Sequence, residues 1–120
     1  MSAEILIVDD NSDIRIILDE LIKEAGYTTR LAANFNQALT EIDKKLPDVA
    51  ILDVKLDKGD NDGIQLLEHI KSKNSDIPVI MISGHANIEM AINSLKSGAF
   101  EFIQKPFDKE RLINFVNRAV

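Results

Sequence analysis

Short runs of consecutive apolar residues recur along the chain, separated by stretches in which apolar positions follow a helical period. Three runs, residues 5–8, 49–52 and 79–82, are uninterrupted, and two weaker ones cover residues 27–32 and 99–103. An uninterrupted apolar run of about four to eight residues is typical of a strand buried on both faces of a sheet. The pattern therefore predicts five strands.

The stretches between and after these runs predict five helices, each with one apolar face. The apolar residues at helical spacing are Ile14, Ile17, Leu18, Leu21 and Ile22; Phe35, Ala38, Leu39 and Ile42; Ile64, Leu67 and Ile70; Ile88, Ala91, Ile92 and Leu95; and Leu112, Phe115, Val116 and Ala119. Gly26 and Gly98 follow the first and fourth sets. Glycine is common just after a helix, so these two residues are predicted to end those helices.

Five successive strand–helix units predict a parallel sheet with helices on both faces, because crossovers between parallel strands are almost always right-handed. The expected fold class is α/β, a doubly wound five-stranded parallel sheet, and the 120 residues suit one domain covering 1–120. In such sheets, ligands bind beyond the carboxyl ends of the strands. Candidate functional residues are therefore sought directly after the apolar runs.

Composition narrows the possible chemistry. The chain has no Cys and two His, which excludes disulfides, a thiol nucleophile and Cys-ligated zinc and disfavours a histidine-rich metal site. A formal net charge of −6 disfavours direct binding to a nucleic-acid backbone. The sequence has no membrane-spanning apolar run and predicts no signal peptide, so a cytoplasmic location is expected. Carboxylates, hydroxyls and lysines remain as the reactive groups.

Three aspartates follow two of the predicted strands. Asp9 and Asp10 follow the first strand and Asp53 follows the third. Carboxylates brought together at a sheet edge repel one another unless one is protonated or a cation binds between them. Oxygen ligands without His or Cys favour Mg²⁺. The alternative interpretation is that the first two aspartates open a helix, a role for which Asn11 and Ser12 also compete.

A hydroxyl and an ammonium group follow the other two strands of this edge. Ser83 and Gly84 end the fourth strand, and Lys105 and Pro106 end the fifth. A hydroxyl donor and a fixed cation beside a metal pocket suit the oxygens of a transferred phosphoryl group, and the glycine would leave room for them. The alternatives are that Ser83 caps the next helix and that Lys105 is a solvated surface lysine.

These segments together resemble the receiver domain of bacterial two-component response regulators. The resemblance rests on ILIVDD at 5–10, VAILD at 49–53, VIMISGH at 79–85 and GAFEFIQKPF at 98–107, and it spans all 120 residues. It implies a flavodoxin-like (βα)5 fold with strand order 2-1-3-4-5. It also implies transfer of a phosphoryl group to Asp53 from a phosphohistidine, carried by a sensor histidine kinase or a histidine phosphotransfer protein.

The resemblance implies a role for each site residue. Asp53 is the phosphoacceptor, and Mg²⁺ is held by Asp10 directly, by Asp9 through water, by Asp53, and by the main-chain carbonyl of Lys55. The roles of the remaining positions are these: Ser83 is the switch hydroxyl, Lys105 binds the phosphoryl group, Phe102 is the aromatic that moves inward on activation, and Pro106 follows a cis peptide bond with Lys105.

The segment after Asp53 departs from the family pattern. It reads VKLDKGDNDG, where the family commonly has Met-Pro and reaches Asp-Gly two residues sooner. Its acidic residues, Asp57, Asp60 and Asp62, do not follow the register of a calcium-binding loop, so a solvated, mobile loop is expected. The residues expected to tune the lifetime of the phosphoryl group are Lys55, Gly84 and His85.

The resemblance predicts a signalling switch that catalyses only its own phosphorylation and dephosphorylation. Phosphorylation would change the surface of the fourth helix, fifth strand and fifth helix, through which the chain forms a homodimer or meets an output domain beyond Val120. The segment 98–107 is most similar to the receiver domains of nitrogen-type regulators, which precede an ATPase and a DNA-binding output domain. A single-domain regulator is the alternative.

Other functions fit the sequence less well. A receiver-shaped module that acts without phosphorylation is the main alternative. A magnesium-dependent phosphohydrolase would need Asp-x-Asp on the first strand, where this chain has the adjacent pair Asp9 and Asp10. The glycine-rich nucleotide-binding motifs and the G-x-S-x-G motif of serine hydrolases do not occur.

Overall fold

A computed structural model describes residues 3–59, 61–84 and 88–120. Strands and helices alternate, and their bounds are β1 Glu4–Val8, α1 Ser12–Glu24, β2 Thr28–Ala32, α2 Phe35–Lys44, β3 Val49–Asp53, α3 Asp62–Lys73, β4 Val79–Ser83, α4 Ile88–Lys96, β5 Glu101–Gln104 and α5 Lys109–Ala119. The strands pair in parallel in the order β2-β1-β3-β4-β5. The predicted fold class and strand order are confirmed.

Alternate residues of the central strands point to opposite faces of the sheet and form two apolar layers. Leu6, Leu52 and Met81 pack with the buried residues of α2 and α3. Ile7, Ile51 and Ile80 pack with those of α1 and α5 on the other face. Every residue of β3 and β4 is buried, which explains why these two runs are uninterrupted.

The predicted helix ends are confirmed at two glycines. Gly26 and Gly98 have φ angles of 98° and 104°, in the left-handed region that other residues rarely adopt. Each follows the end of a helix, α1 and α4 respectively. The start of α1 is also defined, because the side chain of Asn11 accepts hydrogen bonds from the main-chain N–H groups of Asp13 and Ile14. Asn11 is therefore the N-cap.

The apolar stripe of α4 faces outward. Ile88 is 80% exposed, and Ile92 and Leu95 are 44% and 49% exposed. The helix instead turns Ser94, its buried residue, inward, and Met90 packs against the core. Helical spacing identifies an apolar face, but it does not say whether the sheet or another molecule covers that face. No helix in the described part of the chain is long and apolar enough to cross a membrane.

Candidate functional site

Four strands end at the same edge of the sheet and bring the predicted site residues together. Val8 and Leu52 are register partners, so Asp9 lies beside Asp53 at the ends of β1 and β3. Ser83 is the register partner of Gln104, and the main-chain N–H of Lys105 donates to the Ser83 carbonyl oxygen at 2.8 Å. The parallel arrangement places these carboxylates, the serine and the lysine side by side, although they are far apart in the sequence.

Three carboxylates form a cluster at this edge. Asp9, Asp10 and Asp53 each offer one oxygen, and these oxygens lie within 4.8 Å of one another. Asp9 and Asp53 are 1% and 5% exposed, whereas Asp10 is exposed. An all-oxygen cluster that is open to solvent on one side fits Mg²⁺, which binds one or two carboxylates and retains water molecules. The donor set therefore fits the metal that the sequence predicts.

Lys105 contacts two of the three carboxylates. Its Nζ lies 2.8 Å from Oδ2 of Asp9 and 3.1 Å from Oδ2 of Asp53. The lysine side chain is 17% exposed, so the alternative of a solvated surface lysine is wrong. The peptide bond between Lys105 and Pro106 is cis. One ammonium group thus bridges two buried carboxylates, which reduces their mutual repulsion but leaves the site with excess negative charge.

The charge balance of the site is visible in two pKa values. Burial, and secondly the negative charge of Asp9, raise the pKa of Asp53 to about 6, although the ammonium group of Lys105 and the main-chain N–H of Lys55 act in the opposite direction. Burial alone would lower the pKa of Lys105, but its hydrogen bond with Asp9 and the charges of both carboxylates raise it overall. The lysine is therefore charged, and Asp53 is an aspartate whose charge is disfavoured until a cation neutralises it.

Asp9 also has local partners, one of which the sequence reasoning missed. Its Oδ1 accepts a hydrogen bond from the Asn11 N–H at 2.9 Å, while its main-chain oxygen accepts from Nη1 of Arg15 at 2.7 Å. Arg15 thereby holds the end of β1 from the first turns of α1. The only sequence signal for this role is a basic residue on the helix that follows the acidic pair.

Three of the four remaining predicted site residues are described by the structure. Ser83 is 2% exposed and is the last residue of β4. Among the described residues beyond its chain neighbours, a Cβ on Gly84 would meet Cδ of Lys105 at 3.8 Å, an ordinary van der Waals distance. Phe102 is half-buried and lines a groove of about 660 Å³ between α4 and the β5–α5 connection. His85 lies outside the described residues.

The connection between β3 and α3 differs from the expected solvated loop at Asp62. Asp62 is 4% exposed, and its Oδ2 accepts hydrogen bonds from the N–H groups of Lys58 and Gly59 at 2.7 and 3.0 Å. Oδ1 of Asp57 accepts from the N–H of Phe35, the first residue of α2, at 2.9 Å. The expectation of a solvated residue is therefore wrong for Asp62, which is buried with backbone donors on its carboxylate, whereas Asp57 is exposed, as a solvated loop predicts. Asp60 lies outside the described residues.

Comparisons with known proteins agree with this geometry. Residues 5–117 match the family described as the response regulator receiver domain. The nitrogen assimilation regulatory protein NtrX of Azorhizobium caulinodans is 42% identical over 120 residues, which are 100% of this chain and 26% of that protein. The DNA-binding transcriptional regulator NtrC of Salmonella typhimurium is 34% identical over 114 residues, 95% of this chain and 24% of that protein. The chain thus spans about a quarter of the length of these curated relatives.

Solved structures share both fold and sequence with the chain. The crystal structure of the receiver domain of NtrX from Brucella abortus has a TM-score of 0.88 at 42% identity and covers 96% of each chain. The solution structure of the beryllofluoride-activated NtrC4 receiver domain dimer has a TM-score of 0.89 at 34% identity, covering 97% of this chain and 94% of that one. On its sequence, strand order and structural neighbours, the chain belongs to the response regulator receiver domain family.

Proposed function

We propose that the chain is a phosphorylation-dependent signalling switch in which Asp53 accepts a phosphoryl group in a Mg²⁺-dependent reaction. The observation that carries this proposal is the position of Asp53, a nearly buried carboxylate with oxygens of two further aspartates within 4.8 Å and an ammonium group at 3.1 Å. A structural ion pair needs one carboxylate for one lysine. The excess of carboxylates fits a site built to bind a cation and then a phosphoryl group.

The proposed metal ligands are Asp9, Asp10, Asp53 and the main-chain carbonyl of Lys55, with Asp9 acting through water. When bound, Mg²⁺ would supply a Lewis acid that neutralises negative charge on the carboxylate and phosphoryl oxygens. The burial of Asp53 and the nearby charge of Asp9 supply the complementary property, since they raise the free energy of the ionised site and so favour binding of a divalent cation.

The proposed chemistry is an in-line phosphoryl transfer. A carboxylate oxygen of Asp53 attacks phosphorus, the bond from phosphorus to the phosphohistidine nitrogen breaks, and the electron pair stays on the imidazole, which takes up a proton. With acetyl phosphate as donor, the corresponding leaving group is acetate. The ammonium group of Lys105 and the hydroxyl of Ser83 would bind the phosphoryl oxygens, on which charge is spread in the transition state.

The proposed response to phosphorylation is a change in the surface formed by α4, β5 and α5. Reorientation of Ser83 toward the phosphoryl group would be followed by Phe102, which lines the groove beside α4. The exposed apolar residues of α4 form an apolar patch on this surface, which is typical of a protein–protein interaction site. A homodimer is one proposed use, supported by the dimer named for the NtrC4 receiver domain.

The proposed partners follow from the family. The phosphodonor is a sensor histidine kinase or a histidine phosphotransfer protein, and residues 1–120 are one receiver domain that would control either an output domain beyond Val120 or a separate partner. The chain itself would catalyse only its own phosphorylation and dephosphorylation. The output domain, rather than this acidic domain, would bind DNA, because a net charge of −6 disfavours binding to the negatively charged DNA backbone. The family also supports a cytoplasmic location.

The experiment that tests this function is an intact-mass measurement after incubation with acetyl phosphate, with and without Mg²⁺. We expect a gain of one phosphoryl group that requires Mg²⁺ and is absent in Asp53→Asn. A gain that persists in the variant would mean that another residue is the acceptor. No gain at any quench time, together with an unchanged rate of acetyl phosphate consumption, would favour a module that acts without phosphorylation.

A further inference from the structure

The connection between β3 and α3 is fastened to the first turn of α3 at two points. At its beginning, the N–H of Gly63 donates to the Val54 carbonyl oxygen at 2.8 Å. Further along, the carboxylate of Asp62 accepts the hydrogen bonds from Lys58 and Gly59. We call the Asp62 carboxylate and these two N–H groups the Asp62 latch. Lys55 lies between the two fastening points.

The first turn of α3 also lies directly against the phosphoacceptor strand. A Cβ added to Gly63 would come within 2.1 Å of the main-chain oxygen of Asp53 and 2.7 Å of Cα of Val54. Only glycine permits this approach, because the neighbouring atoms belong to the backbone and have no freedom to move aside. The end of β3 and the start of α3 are therefore one packed unit, and a shift of the first turn would move the main chain beside Asp53.

We propose that the Asp62 latch positions the Lys55 carbonyl for the metal and so sets the affinity of the site for Mg²⁺. This inference rests on the proposed function, which makes that carbonyl a metal ligand. Asp62 touches neither metal nor substrate in this scheme and is a positioning residue. Groups that orient metal ligands typically contribute a factor of about 10 to 100 to metal affinity.

Two buried apolar residues in the same connection offer an alternative explanation of how the Lys55 carbonyl is held in place. Val54 and Leu56 flank Lys55 and are both buried, at 0% and 4% exposure. If these two apolar anchors alone fix the Lys55 carbonyl, the latch would contribute to stability without affecting metal binding. The distinction between the two explanations is therefore measurable as a Mg²⁺ dissociation constant of the folded protein.

The test is a Mg²⁺ titration of the folded chain followed by two-dimensional NMR of the backbone amides, a suitable probe because the sequence has no Trp. We expect Asp62→Ala to raise the dissociation constant about tenfold. We expect Asp62→Asn to change it much less, because the amide oxygen can still accept both hydrogen bonds. An Asp62→Ala protein that is folded and binds Mg²⁺ as tightly as the wild type would overturn the proposal.

Asp57→Ala is the matched control. It removes the same negative charge from the same connection, but its partner is the N–H of Phe35 on α2 and not the latch. If Asp57→Ala weakens Mg²⁺ binding as much as Asp62→Ala, the cause is loss of charge near the site, and the positioning role is wrong. A wild-type chain that does not bind Mg²⁺ would overturn the proposed function itself, and the latch with it.

A measurement on the wild type keeps the proposal testable even if Asp62→Ala does not fold. Coupling between two events is reciprocal, so a latch that strengthens Mg²⁺ binding must itself be stabilised by Mg²⁺. Hydrogen exchange of the Lys58 and Gly59 amides should therefore slow by up to about tenfold at saturating Mg²⁺. Exchange at these two amides that is independent of Mg²⁺ would contradict the proposal.

Discussion

Replacing Asp53 with asparagine should stabilise the metal-free protein at neutral pH. The wild-type carboxylate is buried beside Asp9, and its pKa is raised to about 6 as a result. In the unfolded chain the same group titrates near its ordinary value of about 3.9. Between these two pH values the folded state binds more protons than the unfolded state, so the free energy of unfolding falls as pH rises. Asparagine has a similar shape and no charge to bury.

The size of the effect follows from the two pKa values. Each pKa unit corresponds to about 1.4 kcal/mol, so the ionised Asp53 lowers the free energy of unfolding by about 3 kcal/mol once the pH exceeds 6. At pH 4.5 most of this difference disappears, and about 1 kcal/mol remains. The stabilisation by Asp53→Asn should therefore be largest above neutral pH and shrink as the pH falls.

The assay is urea denaturation followed by circular dichroism, at pH 7.5 and pH 4.5, with a chelator present. Asp10→Asn serves as the control because it removes one charge from the same cluster at an exposed position, where a change within about 0.5 kcal/mol is expected. The reasoning is refuted if Asp53→Asn does not stabilise the protein at pH 7.5, or if the increment is the same at both pH values.

Three further predictions concern single residues. Lys105→Ala should slow phosphorylation by acetyl phosphate about 100-fold, because it removes the cation that faces Asp53; a wild-type time course by intact mass would contradict this. Asn11→Ala should lower the free energy of unfolding by about 1 kcal/mol, and Asn11→Asp should restore it, since either side chain can cap α1. Gly26→Ala should lower the free energy of unfolding by about 1 kcal/mol through its positive φ alone, because no described residue other than its chain neighbours lies within 4 Å of the added methyl group. Urea denaturation measures both the Asn11 and the Gly26 variants, and an unchanged midpoint would disprove the corresponding prediction.

The order of elements and the residues at the strand ends could be predicted from the sequence. The uninterrupted runs that became β3 and β4 are buried along their whole length, so burial on both faces leaves a direct mark on residue type. The edge strand β2 shows why the weaker apolar runs were harder to identify as strands. β2, at one edge, has exposed and half-buried positions, and its sequence therefore mixes apolar with polar residues.

The contacts of the candidate site could not be predicted in the same way. The sequence identifies Lys105 and Asp53 as members of one edge, but they are 52 residues apart, and only packing of β5 beside β4 brings Nζ within 3.1 Å of the carboxylate. Arg15 on the main chain of Asp9 is a similar case. Long-range distances of this kind depend on how whole strands and helices pack, which residue type alone does not specify.

The sequence by itself determined the alternation of strands and helices, the parallel sheet and the acidic edge, because each depends on local period or on which residue follows a strand. Only the tertiary structure decided that Asp62 is buried and that the apolar face of α4 points outward. From the sequence alone, an acidic residue between two elements is predicted to be solvated, because the backbone donors that can bind its carboxylate are known only from the fold. A helix with an apolar face is likewise predicted to pack that face against the sheet, and only the structure shows that α4 packs its other side there.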